Sequence, residues 1–203
     1  MAVTAERVKQ LRDETGAGMM DCKKALDAVG GDYAKAVAWL KEKGLSAAAK
    51  KASREANDGV IEVYSHTGGR MAVMVEVNCE TDFVARSPEF RELAHNIAIQ
   101  IASTSPGYVK REDMPADVVA AASAKFKDEI VQQGKPENIA ERAAAGKMEA
   151  YYAECCLLDQ VYVKDPDGKQ KMKDLLTQAI SKIGENIVVR RFTRYQLGES
   201  SAE

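Results

Sequence analysis

Apolar side chains in residues 5–44 recur every three or four positions, which predicts three short amphipathic helices. Glycines at 16 and 18 separate the first two helices, and the pair at 30 and 31 separates the second from the third. Gly44 predicts the end of the third helix. A unit of this size has a thin core, so the pattern favours a module that docks onto a partner. The positions on the apolar faces are Val8, Leu11, Ala25, Leu26, Val29, Tyr33, Ala36, Val37 and Leu40.

From residue 59 the pattern changes to runs of β-branched and apolar residues. Residues 60–64 and 71–77 predict two antiparallel strands, joined by a turn at residues 65–69. Ser87 and Pro88 suit the N-cap and the first position of a helix. The apolar stripe that follows them predicts that this helix continues to about residue 103.

The segment after this helix is mostly helical in pattern. Residues 115–133 and 137–151 predict two helices joined by a short turn at residues 134–136, which together form an αα-hairpin at about 115–151. Its narrow apolar stripe favours a hairpin that projects from the core. The remaining predicted elements are a short strand over 158–164, a helix over 172–183 and a last strand over 187–195.

This order of elements predicts an α+β fold, in which an antiparallel sheet of about three strands is covered on one face by helices. We expect a three-helix domain at residues 1–45 and a linker at 46–58. The α+β core domain follows at 59–198, and a frayed tail ends the chain at 199–203.

The balance of charge excludes several classes of partner. The chain of 203 residues has a net charge of -2 and a pI near 5.9, so no global positive field attracts nucleic acid or anionic lipid. The first residues lack the apolar run of a signal peptide, and no uninterrupted apolar stretch is long enough to cross a membrane. We therefore expect a cytoplasmic protein that binds neither nucleic acid nor membrane directly.

The four cysteines do not form a recognisable site. No Cys-x-x-Cys pair is present, and Cys155 and Cys156 are adjacent, so they point in different directions. With only His66 and His95 as imidazoles, a zinc site would need ligands from distant segments. We expect structural thiols, no metal site, no cofactor and no enzymatic activity of the chain itself.

The stretch at residues 76–85 connects the second predicted strand to the next helix. Short connections of this kind display working residues on a rigid scaffold. This one carries the acidic Asp82 next to the aromatic Phe83. Spacing alone leaves two interpretations open: a displayed functional loop, or a loop in which Phe83 folds back under the helix that Asp82 caps.

Two consecutive methionines begin the second predicted helix. Met19 and Met20 cannot both face so small a core, so we expect one of them at the surface, where methionine suits adaptable binding patches. The alternative is that both pack at the rim of the core.

Three stretches of the chain resemble one family, bacterial translation elongation factor Ts. The N-terminal match comprises Leu11-Arg12 and residues 15–26 (TGAGMMDCKKAL). The central match is residues 76–85 (EVNCETDFVA), and the C-terminal match is residues 182–192 (KIGENIVVRRF). The resemblance follows the order of the chain over nearly its whole length.

The resemblance implies a guanine-nucleotide exchange factor for elongation factor Tu, the GTPase that delivers aminoacyl-tRNA. It implies a ubiquitin-associated-like fold for the three N-terminal helices, with Leu11, Met19 and Met20 among the contacts to the GTPase. It also implies that the turn carrying Asp82 and Phe83 enters the GTPase next to its magnesium and phosphate site. The flanking residues Thr81 and Val84 are expected to contact the GTPase as well.

Longer members of the family carry two copies of the core module, whereas this chain has room for one. The short form therefore implies a homodimer. Residues 64–71 resemble the hairpin of the second copy, whose histidine contacts the GTPase, although the spacing from His66 to the glycines differs. Each GTPase would then meet the Asp82-Phe83 turn of one subunit and His66 of the other.

Other classes of protein predict different residues. An adaptor would use only the N-terminal helices to bind a peptide or a ubiquitin-like protein. A hydrolase would need Cys79 or His95 paired with a base, and no such pairing is visible. An RNA-binding protein would use the basic residues Lys50, Lys51, Arg54, Arg190, Arg191 and Arg194.

Overall fold

A computed structural model describes residues 3–133 and 137–199 and confirms the predicted α+β class. Three strands form one sheet in which their spatial order follows the chain, with the second strand in the middle. The helices are α1 (Ala5–Thr15), α2 (Met19–Ala28), α3 (Tyr33–Lys51), α4 (Asp82–Ala85), α5 (Pro88–Thr104), α6 (Ala116–Gln132), α7 (Glu137–Cys155) and α8 (Met172–Ile183), with short 3-10 turns at Arg111–Asp113 and Leu157–Asp159. The strands are β1 (Asp58–Ser65), β2 (Met71–Cys79) and β3 (Val188–Gln196).

Helices α1 to α3 pack around a small apolar core, as the spacing predicted. Thr4 caps α1, Asp32 caps α3, and Gly16 ends α1 in the left-handed conformation at φ 67°. Tyr33 closes one side of the core by donating its hydroxyl to the Glu14 carboxylate at 2.6 Å. The buried members of the core are Val8, Leu11, Cys22, Ala25, Leu26 and Ala36.

The third helix does not end at Gly44, so that prediction is wrong. It continues to Lys51, because the run of alanines after Gly44 favours helix. Gly44 is buried, and a side chain there would meet Thr177 and Ser181 of α8 at 3.9 Å. These are ordinary van der Waals distances, so Gly44 packs against α8 within the helix and does not end it.

The hairpin of β1 and β2 follows the sequence prediction. The His66 N–H donates to the Met71 carbonyl, and Gly68 and Gly69 turn the chain with φ of 86° and 66°. Along β2, Val73, Val75 and Val77 are buried, and the residues between them are more exposed. One face of the sheet therefore supplies core.

Helices α6 and α7 form the predicted αα-hairpin, whose small core contains Ile130, Ala144 and Phe126. The predicted turn at residues 134–136 lies outside the described residues. Arg111 binds the end of the hairpin by donating two hydrogen bonds each to Glu149 and Asp159, at 2.7–2.9 Å.

The predicted strand at residues 158–164 is wrong. A 3-10 turn occupies Leu157–Asp159, and only an isolated bridge joins Val161 to Lys171. The side chain of the buried Gln100 explains the difference. It donates to the Val161 carbonyl at 3.0 Å and accepts from the Val163 N–H at 2.8 Å, so it takes groups that a strand would offer to a neighbouring strand.

The chain divides into two compact units, each built from several stretches. One comprises Met1–Glu62, Glu76–Ala94 and Asp174–Val189, and the other Val63–Val75, His95–Lys173 and Arg190–Glu203. The predicted division at 1–45, 46–58 and 59–198 stays a prediction, and most of the predicted tail, residues 200–203, lies outside the described residues. Across residues 3–133 and 137–199, no helix is both long and apolar enough to cross a membrane.

Candidate partner-binding site

The connection after β2 contains one turn of helix, α4, which spacing alone did not predict. Thr81 is its N-cap, and the Thr81 hydroxyl accepts from the Val84 N–H at 3.3 Å. Ser87 then caps α5 by accepting from the Phe90 N–H at 3.3 Å, as predicted. The turn thus lies between a strand and a capped helix and has a defined geometry.

Phe83 points away from the protein and is 82% exposed. On the same turn Val84 is half-buried and Ala85 is buried, so the turn is anchored on one side only. The interpretation in which Phe83 folds back under the helix is therefore wrong. An exposed aromatic on an ordered turn presents a large apolar surface to solvent.

Asp82 does not cap a helix, since Thr81 has that position. Its exposed carboxylate accepts from Arg86 at 2.6 Å, four residues further on. A surface pair of this kind contributes little to stability. Asp82 therefore remains accessible beside Phe83, as the displayed-loop interpretation requires.

Polar groups from three segments hold the start of this turn. The Glu185 carboxylate accepts from the N–H groups of Glu80 and Thr81 at 3.0 and 3.1 Å, and from the Thr81 hydroxyl at 2.7 Å. In return, Glu80 accepts from the Asn186 N–H at 2.6 Å and from Arg54 at 3.5 Å. Sequence reasoning assigned no role to Glu185, although it lies in a matched stretch directly after the end of α8.

Cys79 lies behind the turn and is fully buried. Its thiol donates to the Thr81 carbonyl at 3.2 Å, and burial raises the pKa of Cys79 to about 11. A thiol with such a pKa stays protonated at neutral pH and is a poor nucleophile. The bond to a carbonyl, not to a base, fits the predicted structural role better than a hydrolase.

Met19 and Met20 both lie on the first turn of α2 and are 45% and 64% exposed. We predicted that one of them reaches the surface, and in the structure both do. The core is already filled by Cys22, Ala25 and Leu26 from the same helix. Two adjacent, flexible apolar side chains therefore form an exposed patch on the three-helix unit.

Leu11, the third N-terminal residue expected at a contact, has no exposed area. It packs inside the core of the three helices. Its side chain thus has a packing role in this structure, and the expected contact of Leu11 with the GTPase stays a prediction.

His66 lies at the tip of the β1–β2 hairpin and is exposed. Its Nδ1 is 2.8 Å from the Tyr64 hydroxyl, and the two ring centroids are 6.0 Å apart. Tyr64 in turn packs edge-on against His95, with centroids 5.9 Å apart. The histidine is thus oriented by a neighbour but keeps an accessible ring edge.

The basic residues considered for RNA binding include two that bind carboxylates within the chain. Arg54 pairs with Glu80, and Arg194 donates to Glu199 at 2.8 Å. These pairs reduce the local positive charge that a phosphate backbone would need. Among the described residues, no group of three His, Cys, Asp or Glu side chains is placed to hold a metal ion.

Comparison with known proteins gives one family. A family model described as "Elongation factor TS" matches residues 19–169. The elongation factor Ts of Thermodesulfovibrio yellowstonii is 51% identical over 203 residues, which is the full length of both chains. That of Carboxydothermus hydrogenoformans is 51% identical over 201 residues, covering 99% of this chain and 92% of its own. That of Anaeromyxobacter sp. strain K is 55% identical over 197 residues, covering 97% and 89%. The chain therefore belongs to the elongation factor Ts family.

Proposed function

We propose that this protein is a guanine-nucleotide exchange factor that binds elongation factor Tu in its GDP state and promotes release of GDP. The observation that carries the proposal is Phe83, which is 82% exposed on a turn whose backbone is fixed by hydrogen bonds. An aromatic side chain held in this way can be buried by a partner without reorganising the turn. Family membership supplies the partner.

The mechanism follows from linkage between two ligands of one GTPase. GDP is held through its phosphates and a bridging magnesium ion. Phe83 enters the GTPase as an apolar wedge, and Asp82 disturbs the groups on the magnesium side. Factor and nucleotide then weaken each other's binding by the same ratio, and each tenfold change corresponds to about 1.4 kcal/mol. No covalent step is involved, so the chain acts as a binding protein and needs no cofactor. It acts in the cytoplasm, where translation takes place.

Met19 and Met20 supply a separate docking surface. Their exposed side chains suit a groove or helix of the GTPase domain. A second contact of this kind raises the effective concentration of the wedge at the nucleotide site. Thr81 and Val84 border Phe83 and complete the contact there.

The active form is a homodimer in which one subunit supplies the Asp82-Phe83 turn and the other supplies His66. Ile61 and Val63 support this assembly, because they lie on the same face of β1 and are 61% and 62% exposed. A second copy would bury this apolar face.

Sedimentation velocity at micromolar concentration tests the dimer. We expect Ile61→Glu/Val63→Glu to give monomers. The control Val131→Glu changes an apolar residue of α6 that is 50% exposed, and should leave the dimer intact.

The central experiment is stopped-flow release of a fluorescent GDP analogue from elongation factor Tu. The wild-type chain should accelerate release strongly, and Asp82→Ala/Phe83→Ala should lose most of the acceleration. Truncating Phe83 removes about 1–3 kcal/mol of apolar contact, which corresponds to a roughly fivefold to 150-fold slower release. Tyr195→Ala is the matched control, since Tyr195 is also an exposed aromatic at 74%.

Each result has a distinct meaning. If the wild-type chain does not accelerate release, the exchange function is refuted and an adaptor that only binds becomes the better interpretation. If Phe83→Ala is as fast as wild type, the wedge is refuted. If Met19→Ala/Met20→Ala binds elongation factor Tu as tightly as wild type, the docking role is refuted. Leu45→Ala, which removes an exposed apolar side chain on α3, is the control and should not weaken binding.

A further inference from the structure

We infer that Glu185 is a positioning residue: its carboxylate fixes the start of α4 and so sets how fast the Phe83 turn acts once the protein is bound. This inference rests on the proposed exchange function. Glu185 does not contact the GTPase in this scheme, and its effect passes through Thr81.

Three hydrogen bonds lead from the turn to this one carboxylate. Oε2 accepts from the N–H groups of Glu80 and Thr81 at 3.0 and 3.1 Å, and Oε1 accepts from the Thr81 hydroxyl at 2.7 Å. Bonds to an ionised acceptor are stronger than neutral ones. The two residues that leave β2 are therefore held by a side chain about a hundred positions further along the chain.

The Thr81 hydroxyl is the link to Phe83. A hydroxyl has one hydrogen to donate and two lone pairs. The hydroxyl hydrogen is donated to Glu185, and this orients a lone pair of Thr81 Oγ1 towards the Val84 N–H, 3.3 Å away. Thr81 is thereby the N-cap of α4. Without the carboxylate, the hydroxyl is free to rotate and bond its own backbone.

Helix α4 depends on this cap because it is only four residues long. A single helical turn does not persist on its own, since nucleation fixes several residues for one hydrogen bond. Loss of the cap should therefore disorder Asp82 and Phe83 while the helix that follows, with its own Ser87 cap, stays intact.

The segment around Glu185 is itself held in place. Asn186 is buried, donates its backbone N–H to Glu80 at 2.6 Å and donates its side-chain amide to the Arg54 carbonyl at 2.8 Å. The pairs 80–81 and 185–186 thus bind each other in both directions. Such a reciprocal arrangement suits a rigid support for a wedge that must not yield when it is inserted.

The first test needs no partner. Hydrogen exchange of the Glu80 and Thr81 amides is measured in the wild-type chain, in Glu185→Ala and in the control Glu42→Ala, which removes an exposed carboxylate on α3. We expect roughly tenfold or faster exchange at both amides in Glu185→Ala only, with α5 unchanged, because the carboxylate is their acceptor. Unchanged exchange at these amides overturns the inference.

The second test uses GDP release across a range of factor concentrations. Glu185→Ala should lower the maximal rate about tenfold and leave the half-saturating concentration unchanged, because the Met19 and Met20 surface is untouched. Glu185→Gln keeps one acceptor oxygen and should recover part of the rate. A change in the half-saturating concentration alone overturns the inference.

A double-mutant cycle separates positioning from general damage to the fold. In a Phe83→Ala background, Glu185→Ala should slow release by less than about twofold, because residues that act as one unit are not additive. Fully additive losses overturn the inference. If the wild-type chain gives no acceleration at all, the exchange function itself has failed, and the amide exchange data still decide whether Glu185 holds the turn.

Discussion

Gly59 lies at the start of β1 with φ of 145°, a conformation that only glycine adopts readily. An added Cβ would lie 2.2 Å from the Val77 carbonyl oxygen and 2.7 Å from the Asn78 Cα. Both are backbone atoms of β2, so no side-chain rotation relieves the overlap. Gly59→Ala therefore forces β1 away from the part of β2 that leads into the Phe83 turn.

Two effects of this substitution lower the free energy of unfolding, and one raises it. The backbone conformation costs about 1–3 kcal/mol for a residue with a side chain. Moving the strand to relieve the overlap costs about 1–3 kcal/mol more. Alanine also lowers the conformational entropy of the unfolded chain, which offsets about 0.4–1 kcal/mol of this cost. We expect a net loss of about 3 kcal/mol, which lowers the thermal midpoint by roughly 6–12 °C in a chain of this size.

Thermal unfolding followed by circular dichroism checks this value against two other glycines. Gly68 has φ of 86°, but among the described residues no heavy atom lies within 4 Å of an added Cβ. Gly68→Ala should therefore lower the free energy of unfolding by only about 1 kcal/mol. Gly146 lies in α7 with open space, so Gly146→Ala should gain about 0.5–1 kcal/mol. A Gly59→Ala midpoint within 2 °C of wild type, or equal to that of Gly68→Ala, would refute the steric argument.

The remaining predictions concern charge and thiols. Arg111→Met should cost about 2 kcal/mol by leaving the buried Asp159 carboxylate without its main partner, read as a lower denaturation midpoint, and an unchanged midpoint contradicts it. The hydrogen bonds from Arg111 lower the pKa of Asp159, so this stabilisation is present above about pH 4 and is lost as pH falls through the lowered pKa. Below about pH 4 the free energy of unfolding should therefore fall more steeply with pH in the wild-type chain than in Arg111→Met. The same pH dependence in both proteins would contradict this. Burial raises the pKa of Cys79 to about 11, so iodoacetamide at pH 8 should label the half-buried Cys155 before Cys79, as read by peptide mass spectrometry. Preferential labelling of Cys79 would contradict the buried, structural assignment.

Local sequence determined the elements wherever periodicity and caps agreed. The first two N-terminal helices, the start of the third, the β1–β2 hairpin and the start of α5 at Pro88 match the predictions. Each depends on interactions within a few residues, such as the Ser87 cap and the glycine turn after His66. Such signals are visible in the chain itself because both partners lie close together in sequence.

Prediction failed at two places where other residues outweighed the local signal. Gly44 suggested a helix end, but it lies against α8, more than 130 residues away, and the helix continues. Residues 158–164 have the composition of a strand, but Gln100 takes their backbone groups. At Gly44 the helix propensity of the alanines that follow outweighs the glycine, and at residues 158–164 a tertiary contact outweighs strand propensity.

The candidate site divides in the same way. The sequence alone placed Asp82 and Phe83 in a connection between strand and helix and left the direction of Phe83 open. Tertiary structure decided that Phe83 faces solvent, that Met19 and Met20 are both exposed, and that Leu11 is not. It also brought Glu185 to Thr81. The physical reason is that exposure and hydrogen-bond partners depend on what else occupies the space around a side chain, and only the folded chain determines that.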